Sequence, residues 1–155
     1  MDIIRVYVDT SVFGGTQDDE FAEATSRFFK RVFKGLYIVM VSAETLRELA
    51  KAPNAVKSLW ESLPAGGIEE VPTSEQVKAL ANEYIKAGVL GPGSASDALH
   101  VACATTAGAD LILSWNFRHI VNFDRIRGFN RVNVMNGYGA MTILSPLEIG
   151  GDDEG

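Results

Sequence analysis

Short continuous apolar runs alternate along this chain with segments whose apolar residues recur every three or four positions. IIRVYVD (3–9) and YIVMVS (37–42) read as buried strands, because both faces are apolar; IEEVP (68–72) reads as a brief third strand, and DLILSW (110–115) and MTILSP (141–146) as two more. Between the first two lies DEFAEATSRFFKRVFKG, with Phe21, Ala24, Phe28, Val32 and Leu36 at helical spacing and Gly35 as a stop. Ser42 caps a helix over AETLRELAKA that Pro53 ends, and a short helix follows over 56–63. After the Gly66-Gly67 break and the third strand, Thr73 with Gln76 forms a capping-box pattern opening VKALANEYIKAG. GPGS (91–94) is a loop, SDALHVACATTAG a helix closed by Gly108, and 117–139 a short helix plus loop. Strands alternating with helices predict a parallel sheet covered on both faces, a three-layer α/β/α sandwich. One domain is expected over 1–149, with a disordered acidic tail at 150–155.

Composition changes little in that picture. At 155 residues, 46% hydrophobic and 22% charged, the chain is of ordinary globular type. A single cysteine, Cys103, allows no intrachain disulfide and fits a reducing compartment. The opening MDIIRVYVDTSVF lacks the layout of a signal peptide, and no apolar run approaches the ~20 residues of a spanning helix, so a cytoplasmic protein is expected. Net charge is −6, of which Asp152, Asp153 and Glu154 supply −3, leaving −3 for the body. That weakens a nucleic-acid reading without excluding it.

The acids fall where chemistry is expected. In an open parallel sheet, ligands bind beyond the carboxyl ends of the strands. Asp9 ends the first strand, Glu48 follows the second, Asp97 heads the helix before strand 110–115, and Asn116 ends that strand. Each has a plain alternative: Asp9 could cap a turn, Glu48 could be solvated, and Asp97 is favourable with the helix dipole. Glu44 is explained by the dipole, and Asp110 lies at the wrong strand end. Jointly, carboxylates that converge without bases repel one another, and burial raises their pKa values. Mg²⁺ or Mn²⁺ removes that conflict, whereas His100, His119 and one cysteine make no zinc cluster.

VYVDTSVF, VSAETLREL and SDALHVACATTAGADLILS, in that order and spacing, resemble the PIN-domain family of VapC-like toxins over nearly the whole chain. The resemblance implies a metal-dependent endoribonuclease that hydrolyses RNA phosphodiester bonds, the toxin of a toxin–antitoxin pair. Asp9, Glu48 and Asp97 would hold one or two Mg²⁺ or Mn²⁺ ions that activate water against the scissile phosphate. Thr10, Ser11 and Ser114 would hydrogen-bond the carboxylates or a metal-bound water. An antitoxin partner and a homodimer are expected with it. The family carries an Asp within Thr-x-Asp where this chain has Ser114-Trp115-Asn116, so Asn116 joins the catalytic set without charge. That favours a single metal and keeps open an alternative: a weakened PIN-fold module that binds RNA or protein.

The remaining candidates are weighed against packing. His100 shares a helical face with Asp97 and reads as a packed or hydrogen-bonded histidine before a phosphate contact. Trp115 could stack a base, with packing as the default; Cys103 reads as core. Arg118, His119, Arg125, Arg127 and Arg131, interleaved with Phe117, Phe123 and Phe129, are the best source of RNA phosphate contacts, or else an ordinary surface with ion pairs. Phe13, Phe21, Phe28, Phe29 and Phe33 read mostly as core, and any left exposed would suggest a dimer or antitoxin surface. An aspartyl phosphatase would need Asp-x-Asp, and Ser11 stands where the second acid belongs. A dinucleotide fold would need a Gly-rich first turn, which DTSVFGGTQ does not provide.

Overall fold

Five strands form one sheet in the computed structural model, which describes residues 3–149: β1 (Ile4–Val8), β2 (Tyr37–Ser42), β3 (Ile68–Val71), β4 (Leu111–Leu113) and β5 (Ile143–Leu144). All pairings are parallel, in the order β3-β2-β1-β4-β5. The expected acidic tail at 150–155 lies outside the described residues. Among the described residues, seven α-helices cover the two faces: α1 (Thr10–Gly14), α2 (Ala22–Phe33), α3 (Ala43–Leu49), α4 (Asn54–Ser62), α5 (Glu75–Lys86), α6 (Ala95–Thr106) and α7 (Phe123–Met135). The expected α/β/α sandwich is the observed architecture. Among the described residues, no helix is long and apolar enough to cross a membrane.

Strand alternation divides the core in two. Tyr7, Met40 and Ile112 point to the face covered by α5, α6 and α7, where Val101, Ala102, Tyr84 and Phe129 are buried. Val6, Val8, Val39, Val41 and Leu113 point to the other, against Phe13, Phe28, Phe29 and Val32 of α1 and α2. Each such side chain contributes roughly 1.5–3 kcal/mol of burial, which is why both faces must be apolar. Ala98, Ala102 and Ala104 let α6 lie close against the sheet, and Cys103 is packed among them. At the amino end of the sheet, Arg5 ties three elements together. Its guanidinium donates to Glu69 on β3 at 3.0 and 2.7 Å and to the carbonyls of Ala107 and Gly108 that end α6.

Three elements differ from the sequence reading. Thr10–Gly14 forms a short helix, too brief to show a periodic pattern. The cap of α5 is Ser74, whose Oγ accepts from the Val77 N–H at 3.3 Å, so the Thr73–Gln76 box is not the one used. The helix expected to be short within 117–139 runs over thirteen residues, capped by Asn122. Its inner face is Phe129, Val132 and the buried Asn133, and its interior Gly128 hid the pattern. Gly128 is there for contact: a Cβ would lie 2.8 Å from Val89.

Gly15 makes the other close approach. Its missing Cβ leaves room for the bond from Trp115 Nε1 to Thr25 Oγ1 at 2.9 Å, since a Cβ would sit 2.6 Å from that nitrogen. Gly15→Ala is therefore expected to cost about 1–3 kcal/mol, read as a lowered urea midpoint at unchanged slope. An unchanged midpoint would show that the Trp115 seat yields freely.

Candidate active site

The strand order reverses beside β1: β2 and β3 extend to one side, β4 and β5 to the other. The crevice at the carboxyl ends of β1 and β4 is thus the switch point of the sheet. The register Val8↔Leu113 sets Asp9 opposite Ser114, one residue beyond each strand. Glu48 comes from α3 after β2, and Asp97 from the first turn of α6. All four sequence candidates, Asp9, Glu48, Asp97 and Asn116, reach this end of the sheet.

Each carboxylate is held by different chemistry. Asp9 is only 5% exposed. Ser11 Oγ donates to its Oδ1 at 2.6 Å and Ser114 Oγ to its Oδ2 at 3.0 Å. The two hydroxyls are oriented in turn by backbone donors, Trp115 N–H to Ser11 Oγ and Asn116 N–H to Ser114 Oγ, each at 2.9 Å. Burial nevertheless raises the Asp9 pKa, aided by the charge of Asp97 and opposed by His100 and the two serines. Asp9 is the least compensated negative charge of the set.

Glu48 has a base. Its Oε1 lies 2.6 Å from His100 Nε2, and His100 Nδ1 lies 2.7 Å from the Tyr7 hydroxyl. Tyr7 continues to Ser42 Oγ at 2.8 Å, so a buried chain runs from Glu48 into the sheet. Burial opposes charge on both partners of the ion pair. For His100 it is outweighed by the Glu48 bond and the charges of Asp9, Glu48 and Asp97, and its pKa rises. For Glu48 it is outweighed by the bond and charge of His100, and its pKa falls. Both shifts favour the charged His100–Glu48 pair, and because His100 is 2% exposed, removing either partner would leave the other uncompensated. The packed, hydrogen-bonded reading of His100 fits this position. Thr10 lies beside Glu48 and helps to lower its pKa, although the geometry of its buried Oγ1 falls short of a well-formed hydrogen bond.

Asp97 is met by a neutral amide and an imidazole. Asn116 Nδ2 is 3.3 Å from Oδ1, and His119 Nδ1 is 3.1 Å from Oδ2. The amide orientation is fixed locally: the His119 backbone N–H can only donate, and it reaches Asn116 Oδ1 at 2.9 Å. The carbonyl is thereby used inside the loop, and the NH₂ is left for Asp97. An Asp at 116 would turn an acceptor toward Asp97 instead.

Sequence reasoning expected carboxylates without matching bases, with the histidines far apart. The fold brings both histidines to the crevice, one on each of two acids. His119 stands in the sequence as a member of the basic, aromatic stretch, and nothing local points to Tyr7. Glu44, set aside for the dipole, accepts from Ser96 Oγ at 2.8 Å and Arg47 at 2.7 Å, one turn before Glu48. Trp115 is 6% exposed and stacks on Phe21 at 4.0 Å, so it packs rather than offering a face to a base. Arg125 donates to the Val89 carbonyl through one guanidinium nitrogen, a structural tie at a residue expected to contact phosphate. Arg118 and Arg127 are exposed, and Asp110 takes the Arg5 N–H at the far end of the sheet, 2.8 Å away.

Among the described residues, no three His, Cys, Asp or Glu side chains gather closely enough to enclose a metal by themselves. Hydrogen bonds already reach both oxygens of Asp9 and of Asp97 and one oxygen of Glu48, which is turned to His100; Asp9 and Asp97 lie within electrostatic reach of each other. Two carboxylates suffice for Mg²⁺ or Mn²⁺, which keep several waters or take phosphate oxygens. The carboxylate oxygens fit a hard cation in type, and Asp9 and Asp97 are the pair that would hold it.

The sequence matches the PIN domain over residues 6–127, and the chain belongs to the PIN-domain family. Solved structures share the fold. VapBC2 from Rickettsia felis bound to a promoter DNA fragment superposes with a TM-score of 0.59 at 12% identity, covering 92% of this chain and 98% of that one. FitAcB from Neisseria gonorrhoeae gives 0.59 at 18% identity, with 93% and 99% covered. VapC20 from Mycobacterium tuberculosis, a Sarcin-Ricin loop cleaving toxin, gives 0.57 at 16%, with 74% and 92% covered. A search of curated proteins finds no significant match.

Asn116→Asp tests the local electrostatics. Without metal it should lose about 1–2 kcal/mol, a fall in Tm of several degrees, because two acceptors then face each other. Added Mn²⁺ should raise the Tm of the variant by more than that of the wild type. Equal melting of both proteins without metal would remove Asn116 from the support of Asp97.

Proposed function

We propose that this protein is a metal-dependent endoribonuclease that hydrolyses RNA phosphodiester bonds, acting as the toxin of a toxin–antitoxin pair. The observation that carries the reading is the buried, undercompensated Asp9 beside Asp97 at the switch point of a PIN-domain sheet. The structural neighbour VapC20, a Sarcin-Ricin loop cleaving toxin, supports the toxin part. A protein antitoxin and a homodimer belong to the same proposal.

Mg²⁺ or Mn²⁺ held by Asp9 and Asp97 would stabilise charge on the phosphoryl oxygens and make a water a better nucleophile at neutral pH. The chain supplies the rest. Ser11 and Ser114 fix both oxygens of Asp9, so the carboxylate cannot rotate when an RNA strand enters. Asn116 and His119 fix Asp97 in the same way. The His100–Glu48 pair keeps a carboxylate ionised at the edge of the crevice, where it can accept a proton through one water. With Glu48 engaged by His100 and Asn116 uncharged, we propose one metal and not two.

A second reading, an RNA- or protein-binding module without cleavage, is favoured by one observation: Asn116 already satisfies Asp97 without a metal. Cleavage of single-stranded RNA by the purified protein separates the two. Activity should require Mn²⁺ or Mg²⁺, vanish in EDTA, and fall at least 100-fold in Asp9→Asn and Asp97→Asn, a loss of about 2.7 kcal/mol or more in transition-state stabilisation. RNA binding without any cleavage would establish the module instead, and equal cleavage by both variants would place the site elsewhere.

A further inference from the structure

The outer face of α7 carries a row that the site does not use. Phe123, Arg127 and Arg131 follow one another at i, i+4 and i+8, all exposed, and Phe123 is 74% exposed. The Arg127 guanidinium lies over the Phe123 ring at 5.7 Å from its centroid. Arg127 and Arg131 line a hollow of about 240 Å³ with Asp124 and Gly128. Among the described residues neither arginine makes a hydrogen bond or ion pair, with Asp124 or any other acid. Both stay available in a chain with 20 acids against 14 bases, where Arg5, Arg27, Arg47, Lys78 and Lys86 are paired. The row begins directly after the loop holding Asn116 and His119, and Phe117 and Arg118 on that loop are also exposed.

We propose that the Phe123–Arg127–Arg131 ridge of α7 is the track along which a single-stranded RNA leaves the crevice, with a base on Phe123 and backbone phosphates on the two arginines. The inference rests on the ribonuclease reading for the identity of the strand. An exposed aromatic beside unpaired arginines is the combination that single strands use: the ring accepts any base, and the guanidinium forks accept phosphate oxygens. Successive members of the row stand about 6 Å apart along the helix, so the ridge can follow more than one nucleotide.

The test uses a short, labelled single-stranded RNA, with anisotropy read in EDTA and cleavage read in Mn²⁺. Phe123→Ala should weaken binding about fivefold or more for normal RNA and leave an abasic strand unaffected. Arg127→Gln with Arg131→Gln should weaken binding and lower the salt slope by about 1.4, at ~0.7 per phosphate contact. The matching Lys pair should keep most of that slope, which a folding defect would not. In Mn²⁺ the Gln pair should raise KM at unchanged kcat. Unchanged binding and KM in both variants overturn the ridge while leaving the nuclease reading intact. Binding losses in a wild type that never cleaves keep the ridge and sink the nuclease. A Gln pair that dissolves a dimer, with RNA binding as in wild type, makes the ridge a self-association surface and overturns the proposal.

Discussion

Three carboxylates at one end of a parallel sheet cannot stand together with equal treatment, and their separate neutralisation shapes this crevice. Glu48 is given a cation, His100, which lies 2% exposed and is backed by Tyr7 and Ser42. Asp97 is given a neutral amide and an imidazole. Asp9 receives only hydroxyls and remains buried, its pKa raised by desolvation. The imbalance is directional. Asp9 is the acid left calling for positive charge, and Asp97 stands close by with an amide and an imidazole for company.

The fold makes that division possible. Because β1 is central and its neighbours β2 and β4 lie on opposite sides, the chain can deliver Glu48 from one flank and Asp97 with Asn116 from the other. The same serines that end β4 and open α1 tie the two flanks to Asp9. Small residues on α6 bring His100 close enough to the sheet to meet Tyr7 on β1. Packing and electrostatics are therefore a single arrangement here: widening α6 from the sheet would break the Tyr7–His100–Glu48 chain as well as the core.

Much of this was legible in the sequence, for physical reasons that can be named. Continuous apolar runs such as IRVYV can only be buried on both faces, so the parallel sheet and its order of helices followed. Acids at strand ends then pointed to the crevice. What stayed hidden was pairing across distance. His100 and Glu48 are separated by 52 positions, and nothing local in either segment announces the contact. The role of Asn116 was read as a missing charge, whereas the structure shows a donor whose orientation is fixed by the His119 N–H. The length of α7 was masked by Gly128, a residue that weakens a helix by propensity and is required here by contact with Val89. The Arg125 side chain, attractive for RNA by type, is spent on a backbone carbonyl.

The central claim is that one cation, and not two, completes this site through Asp9 and Asp97. Titration of the wild-type protein with Mn²⁺, counting free ion by electron paramagnetic resonance, tests it without reference to catalysis. The account predicts one equivalent bound per chain, lost in Asp97→Asn and retained in Glu44→Gln. Two equivalents per chain, or one that survives Asp97→Asn, would contradict it.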